Sequence, residues 1–336
     1  MSPHEMPHDL VLVTGASGHL GANLVRHLLD DGYRVRCLVR SETSAIDGLP
    51  CEFAKGDVTD PASLANAVAG CSVVFHCAAA IGVEGRDAPI MMRINVEGTR
   101  NMLRAAEDEG VRRFIHFSSL HALSMHPTSE PLEEDRPLEL DPRSHPYNHT
   151  KALAEQAVLE ACGRGLSATI LSPTGILGPH DTKPSRMGEV LDDFARGAMP
   201  ALLRTGFDWV DVRDVCTSAI AAIERGRPGE RYLLPGSWAS FSSVAKAVQD
   251  AGGHRPPRLK IPLWLAYVAV PFAALTSRIT GNRARFSIGS LYMLRVQCRD
   301  IPGTKAASEL GHTRRNLTAT IRDALQWQRD YTATTE

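Results

Sequence analysis

Thr14-Gly15-Ala16-Ser17-Gly18-His19-Leu20-Gly21 stands between an apolar run, Leu10–Val13, and an amphipathic one, Asn23–Asp30, with Leu24, Val25, Leu28 and Leu29 at helical spacing. A strand that enters a glycine-rich turn and leaves as a helix is a strong constraint on fold. Glycine at 15 permits the tight turn, glycine at 18 lets backbone approach a pyrophosphate, and glycine at 21 lets the helix lie close to the sheet. Backbone N–H groups of Ser17, Gly18, His19, Leu20 and Gly21 then face the anion at the helix N-terminus. The expected ligand is a dinucleotide; the bland alternative is a plain turn.

The rest of the first half supports that context. Strand-like runs at Tyr33–Val39, Cys51–Ala54, Val73–Phe75, Arg113–Phe117 and Ala168–Leu171 alternate with helical runs at Pro61–Ala69, Met91–Glu109 and His145–Cys162. Asp60 and Pro61 make a helix start, and Gly110 and Gly163 make helix stops. Such alternation specifies a parallel, doubly wound α/β sheet of the Rossmann type, with ligands beyond the carboxyl ends of the strands. With 336 residues and about 150 per domain, a second lobe is expected. The dinucleotide-binding lobe covers 8–178 with a returning segment at about 207–235. A smaller, mostly helical substrate lobe takes 179–206 and 236–330.

At the end of the second strand, where NAD-selective sites place an acid, the chain has Val39-Arg40-Ser41. Arg40 suits a 2′-phosphate, so NADP(H) is the preferred coenzyme, with NAD(H) the alternative. A solvated surface arginine is the plainer reading. Asp57, followed by Val58, is a candidate partner for the adenine amino group or a helix cap, although Asp60 suits the cap better. Tyr147 and Lys151 are four residues apart and share a helix face. A cation near a phenol lowers the phenol's pKa, which suits a tyrosine that exchanges a proton with substrate near neutral pH.

In order along the chain come the loop at 14–21, Gly56-Asp57, Phe75-His76-Cys77-Ala78-Ala79, Asn95-Val96-Glu97-Gly98-Thr99, Ser118-Ser119, Tyr147/Lys151, Pro173–Pro179 and Trp209–Asp214. With these the sequence resembles the extended short-chain dehydrogenases/reductases over nearly its whole length. The resemblance implies Tyr147 as acid/base and Lys151 as the group that holds the nicotinamide ribose. It implies a serine that binds the substrate carbonyl: Ser119 fits, and Ser118 is the structural member of the pair. Ala78 and Ala79 flank the coenzyme, and Pro173 and Thr174 line the nicotinamide. Asn95 matches a position that supports a helix bend and a relay water, or only packing. It also implies a homodimer through the helices at 91–109 and 147–162.

Sugar-nucleotide epimerases and dehydratases share this scaffold, but their diphosphate-binding pattern is missing from Leu203–Trp209. Val35–Arg40 and Ser172–Gly175 look more like the dihydroflavonol-reductase and 3β-hydroxysteroid-dehydrogenase branch, which acts on carbonyls or alcohols of apolar molecules. The expected function is therefore an NADP(H)-dependent oxidoreductase. The alternatives are a sugar-nucleotide epimerase or dehydratase, and a non-catalytic dinucleotide sensor.

Net charge of −1 gives no general reason to bind nucleic acid. The seven cysteines are scattered without C-x-x-C, which favours reduced thiols in the cytoplasm. No histidine shows metal-ligand spacing; His4, His8 and His19 read as surface residues, and His121, two after Ser119, as a loop histidine facing solvent or a substrate contact. Met1–Asp9 has no signal-peptide core. Ile261–Leu275 carries no charge for fifteen residues, short of the roughly 20 that a spanning helix needs. It is a buried helix of the second lobe, a pocket wall offering Trp264 and Tyr267 on one face, or a peripheral membrane contact between basic flanks.

Overall fold

The computed structural model describes residues 9–82, 87–270 and 287–335. In chain order, β1 (Leu10–Thr14) leads through the glycine turn to α1 (His19–Asp30), β2 (Arg34–Val39), β3 (Glu52–Lys55), α2 (Pro61–Val68) and β4 (Val73–His76). Then come α3 (Ala88–Met91), a π-helical turn (Met92–Glu97), α4 (Gly98–Asp108), β5 (Arg113–Phe117), α5 (Pro146–Gly163) and β6 (Ala168–Pro173). The single helix expected over 91–109 is thus broken by a wide turn at Asn95.

The second half adds β7 (Gly175–Leu177), α6 (Arg186–Ala195), β8 (Leu202–Leu203), β9 (Gly206–Asp211), α7 (Val212–Arg225), β10 (Arg231–Leu234), β11 (Ser237–Ser240) and α8 (Phe241–Asp250). It ends with β12 (Lys260–Ile261), α9 (263–270), α10 (Ile288–Arg295) and α11 (Leu317–Thr335).

Seven strands form one sheet in the order β10-β6-β5-β4-β1-β2-β3, every pair parallel. Successive strands run outward from β1 to β3 on one side, and the chain then returns to place β4 on the other. The crevice between the ends of β1 and β4 is therefore where a ligand meets converging loops. Apolar residues cover both faces. Leu24, Val25 and Leu28 of α1 pack with Val215, Ala219 and Ile223 of α7 on one side. Leu64 of α2, Met102 and Leu103 of α4 and Val158 of α5 fill the other.

Three short strands, β11-β9-β7, make a separate small sheet. It packs with α6, α8 and α11 around Phe194, Trp209, Phe241 and Ile321. A further buried cluster joins the loop after β5 (Leu120, Leu123, Met125, Leu132) to residues past α10 (Val296, Cys298, Ile301). Among the described residues no helix is long and apolar enough to cross a membrane.

Candidate active site

The turn after β1 is shaped to hold a pyrophosphate. Gly15 has φ +66°, and a Cβ there would lie 2.8 Å from the Ala78 nitrogen. A Cβ on Gly21 would lie 2.2 Å from the Gly15 carbonyl oxygen. Neither place admits a side chain, so α1 starts directly against the turn and leaves its first N–H groups without intrahelical partners. Gly18 is exposed at the head of α1 and, having no side chain, leaves that end uncapped. The cradle fits a dinucleotide phosphate on geometry alone.

Buried hydrogen bonds hold the floor of that cradle. Thr14 Oγ1 meets His76 Nδ1 at 2.9 Å and accepts from the Ala78 N–H at 3.2 Å. His76 Nε2 meets Thr99 Oγ1 at 3.0 Å. Asn95 accepts from the Ala80 N–H at 2.7 Å and donates to Ala80 O and Thr150 Oγ1. Its amide therefore fixes the loop that carries Ala78 and Ala79, and the π-helical turn brings it there. Asn95, weighed as support for a helix bend and a relay water or as packing alone, is buried in the π-helical turn with its amide bound to Ala80 and Thr150. Ala79 is exposed, while Val58 is buried where the missing Cβ of Gly98 leaves it room.

At the adenosine end, Arg40 projects past β2 with its side chain 74% exposed, 3.8 Å from Asp57 Oδ2. Asp57 Oδ1 accepts from the N–H and hydroxyl of Thr59. Burial pushes the Asp57 carboxyl up, but the Thr59 hydrogen bonds and Arg40 outweigh it and leave its pKa lowered. Asp60 caps α2. His19 is not a plain surface residue. Its Nε2 meets the Pro179 carbonyl at 3.1 Å, and the same carbonyl accepts from Asn23. The loop after β7 thus docks on the start of α1, and burial lowers the His19 pKa. His4 and His8 lie outside the described residues.

Ser119, Tyr147 and Lys151 converge at the carboxyl end of β5. Ser119 heads a single turn of helix, Leu120–Ala122, and its Oγ accepts from the His121 N–H at 3.3 Å. Its hydroxyl is also close enough to the Tyr147 phenol to favour the phenolate. Pro146 starts α5, and His145 Nδ1 accepts from the Tyr147 N–H at 3.3 Å. Lys151 is buried, and its Nζ donates to the Phe117 carbonyl at 2.7 Å. Desolvation lowers Lys151 to about 8, with Glu155 and Cys77 acting the other way. Ser118 donates to Glu155 at 2.7 Å, and Glu155 pairs with Arg231. Ser118 thus has a structural partner, and Ser119 is left to face the phenol. Pro173 and Thr174 are buried at the end of β6, beside this group.

One expectation is reversed. The Tyr147 pKa is raised rather than lowered: burial dominates, and the nearby Ser119 hydroxyl offsets only part of it. Lys151 is aimed at Phe117 O, not at the phenol. His121 is a second correction. It is no loop histidine facing solvent but 5% exposed, held at about 3 by burial first and the charge of His145 second. Its ring lies 6.4 Å from that of Phe207. Its neighbour Gln297 had no local signal in the sequence, because only the chain's path from α10 brings it there. The expected shared face of Trp264 and Tyr267 is divided: Trp264 is 66% exposed, while Tyr267 packs on the second-lobe core. Residues 271–275 of that apolar segment lie outside the described residues.

Comparison with known proteins agrees with this geometry. The profile of the NAD dependent epimerase/dehydratase family matches residues 11–234. Sterol demethylase protein B of Methylococcus capsulatus is 36% identical over 323 residues, covering 95% of this chain and 98% of that protein. A putative dihydroflavonol 4-reductase of Synechocystis is 32% identical, covering 95% and 94%. The crystal structure of gox2253 superposes with a TM-score of 0.83 at 35% identity, covering 96% and 98%. With the glycine turn and the Ser119, Tyr147 and Lys151 group in place, the chain belongs to the NAD-dependent epimerase/dehydratase family and is an NAD(P)-dependent enzyme of the extended short-chain dehydrogenase/reductase type.

Proposed function

We propose that the protein is an NADP(H)-dependent reductase or dehydrogenase of a ketone, aldehyde or secondary alcohol in a fairly apolar small molecule. The observation that carries this is the convergence of Ser119, Tyr147 and Lys151 at the carboxyl end of β5 in a chain that also has the glycine cradle after β1. Bound coenzyme supplies or takes the hydride. Tyr147 Oη gives its proton to the carbonyl oxygen in reduction and takes it back in oxidation. Ser119 Oγ donates a hydrogen bond to that oxygen and fixes its position. Lys151, cationic below about pH 8, holds the nicotinamide ribose and favours the phenolate once Tyr147 has given up its proton.

The apolar character of the substrate is supported by the missing diphosphate pattern. Phe207 and Trp209 are buried where that pattern would stand, and Arg204 points to solvent. Two relatives reported above carry the names sterol demethylase protein B and putative dihydroflavonol 4-reductase. The experiment is NADPH oxidation with a panel of apolar ketones against UDP- and GDP-sugars. Reduction of at least one ketone and none of the sugar nucleotides is expected. Interconversion of a sugar nucleotide with no net use of NADPH replaces this reading with an epimerase, and coenzyme binding without any turnover replaces it with a sensor.

We also infer that the outer face of α9 rests on an anionic lipid surface. Trp264, Leu265 and Val268 are exposed there, and Leu259, Arg255, Arg258 and Lys260 are exposed in the segment that leads to it. Apolar side chains with a basic rim match an acyl boundary under anionic headgroups. A homodimer through α4 and α5 would bring together outward charges such as Arg100, Arg104 and Glu160, and light scattering tests it.

A further inference from the structure

Helix α5 brings a third side chain to the end of β5. Glu155 stands one turn beyond Lys151 on the same helix face, and the two are 0% and 3% exposed. They grip two successive residues of the chain as it leaves β5. Lys151 Nζ donates to the Phe117 carbonyl at 2.7 Å, and Glu155 Oε2 accepts from the Ser118 hydroxyl at 2.7 Å. Ser119 follows directly. The other carboxylate oxygen, Oε1, accepts from Arg231 of β10, whose guanidinium also donates to the Glu134 carbonyl.

The groups around Lys151 leave its charge dependent on this carboxylate. His76 of β4 and His116 of β5 lie close enough to feel the ammonium, and burial holds the first at about 3 and the second well below its usual range. Burial pushes the Cys77 thiol and the Tyr147 phenol up. All four are therefore uncharged near neutral pH. Arg231, beyond Glu155, is a second cation. Among the described residues, Glu155 is the carboxylate that opposes the burial of Lys151. Both Glu155 oxygens are taken by donors, as suits a carboxylate. Burial leaves its pKa raised, with Arg231, Ser118 and Lys151 acting the other way. A glutamine would keep the Ser118 contact without burying a charge, which is expensive even when paired. What the glutamate adds is its charge.

We propose that Glu155 is a positioning residue for coenzyme binding: from the next turn of α5 its carboxylate keeps Lys151 cationic against the end of β5, where Lys151 holds the nicotinamide ribose. Without that carboxylate, desolvation stands unopposed and the ammonium gives up its proton at lower pH. The inference rests on the role given to Lys151 above, and not on the choice of substrate, because reductases and epimerases alike need the coenzyme held.

Titration with NADPH, followed by coenzyme fluorescence between pH 7 and 9, reads this without any substrate. A group that binds coenzyme as a cation loses affinity as pH rises through its own pKa, by up to about tenfold per pH unit. In the parent protein the loss should set in at about pH 8. Glu155→Gln should start it about one pH unit earlier, so that affinity is within about twofold of the parent at pH 7 and about 5- to 10-fold weaker at pH 8 to 9. The double variant Glu155→Gln with Arg231→Gln removes both charges of the pair, and it should show the same early loss even if the single variant fails to fold. A parental affinity that holds from pH 7 to 9, a profile that neither variant moves, or a weakening equal at every pH overturns the proposal. Return of the parental profile in the double variant also overturns it, because the shift then came from an unpaired Arg231. Lys151→Met separates the premise. Parental affinity at every pH in that variant takes Lys151 away from the coenzyme, and the proposal falls with that role. A pH dependence that vanishes in Lys151→Met but is the same in Glu155→Gln as in the parent overturns the part given to Glu155 alone.

Discussion

Around the turn after β1, Thr14, His76, Asn95 and Thr99 hydrogen-bond one another and the neighbouring backbone. Across the cleft, where α10 meets the catalytic loop, His121 and Gln297 keep polar atoms without partners. Further out, α9 exposes Trp264 and Val268 at 66% and 55%. A region whose polar groups are paired within the fold is pre-organised for one ligand, the coenzyme, which every reaction on this scaffold needs. A region with vacancies and bare apolar surface is complementary to something the chain does not itself supply. On the reading proposed above, the first lobe holds the coenzyme and the catalytic residues, and the bare apolar surface of the second helps set what is accepted.

The largest effect that would break this division lies at Tyr147. Tyr147→Phe keeps the ring and removes the proton donor. Turnover should fall about 100-fold or more, while coenzyme affinity, followed by fluorescence titration, stays within about twofold of the parent because the glycine cradle is untouched. Near-parental turnover would take Tyr147 out of the mechanism and place the chemistry elsewhere in the cleft.

Arg40 tests how far the first lobe also selects. Its guanidinium stands free except for Asp57 at 3.8 Å, so a 2′-phosphate has an available partner. A charge-assisted bond is worth roughly 1.5–3 kcal/mol, about 10- to 150-fold in affinity. NADP should bind more tightly than NAD by a factor in that range, and Arg40→Asp should invert the order. Equal affinities in the parent protein would remove the basis for an NADP preference.

The paired and unpaired histidines sharpen the comparison through pH. Burial holds His76 and His121 each at about 3, and it pushes His116 well down too. In the unfolded chain they titrate near 6.5. Below that pH the unfolded state takes up protons that the folded state refuses, so their contribution to stability is complete above about 6.5 and is lost as pH falls toward 3. Each histidine should contribute roughly 1.4 kcal/mol per pH unit across that window. Chemical denaturation at pH 7, 6 and 5 should show a falling midpoint, and His121→Phe should make the fall shallower. An unchanged slope in that variant would mean that His121 is solvated in solution.

Much of the first lobe was legible because its signals are local. The glycine turn, the Asp60 cap, Pro146 and the four-residue spacing of Tyr147 and Lys151 each act within one turn of backbone, and the structure places them as read. The break at Asn95 was legible only as a bend; the π-helical turn depends on contacts with Ala80 and Thr150, which come from two other elements. The Tyr147 pKa was misjudged because helical spacing gives proximity but not desolvation, and burial decided its sign. His121 and Gln297, separated by 176 positions, meet only because the chain crosses from one lobe to the other. No spacing rule reports such a pair, and the same holds for Phe207 beside His121.

The smallest expected effect concerns α9, where the second lobe's bare surface is widest. Ala266 and Val270 face inward, 5% and 8% exposed, while Trp264 and Val268 face out. Trp264→Ala removes no core contact of that kind, so the melting free energy should move by no more than about 0.5 kcal/mol. If the face rests on lipid, the same substitution removes an interfacial anchor. The parent protein should then co-sediment with vesicles containing phosphatidylserine more than with pure phosphatidylcholine, and added salt should weaken it by screening Arg255, Arg258 and Lys260. Trp264→Ala should lower co-sedimentation on both lipids, whereas Arg258→Gln should lower it on the anionic one alone. A drop in stability with vesicle binding unchanged would make α9 part of the packed lobe. Absence of binding by the parent protein to either vesicle would leave substrate, not lipid, as the partner of the second lobe's apolar surface.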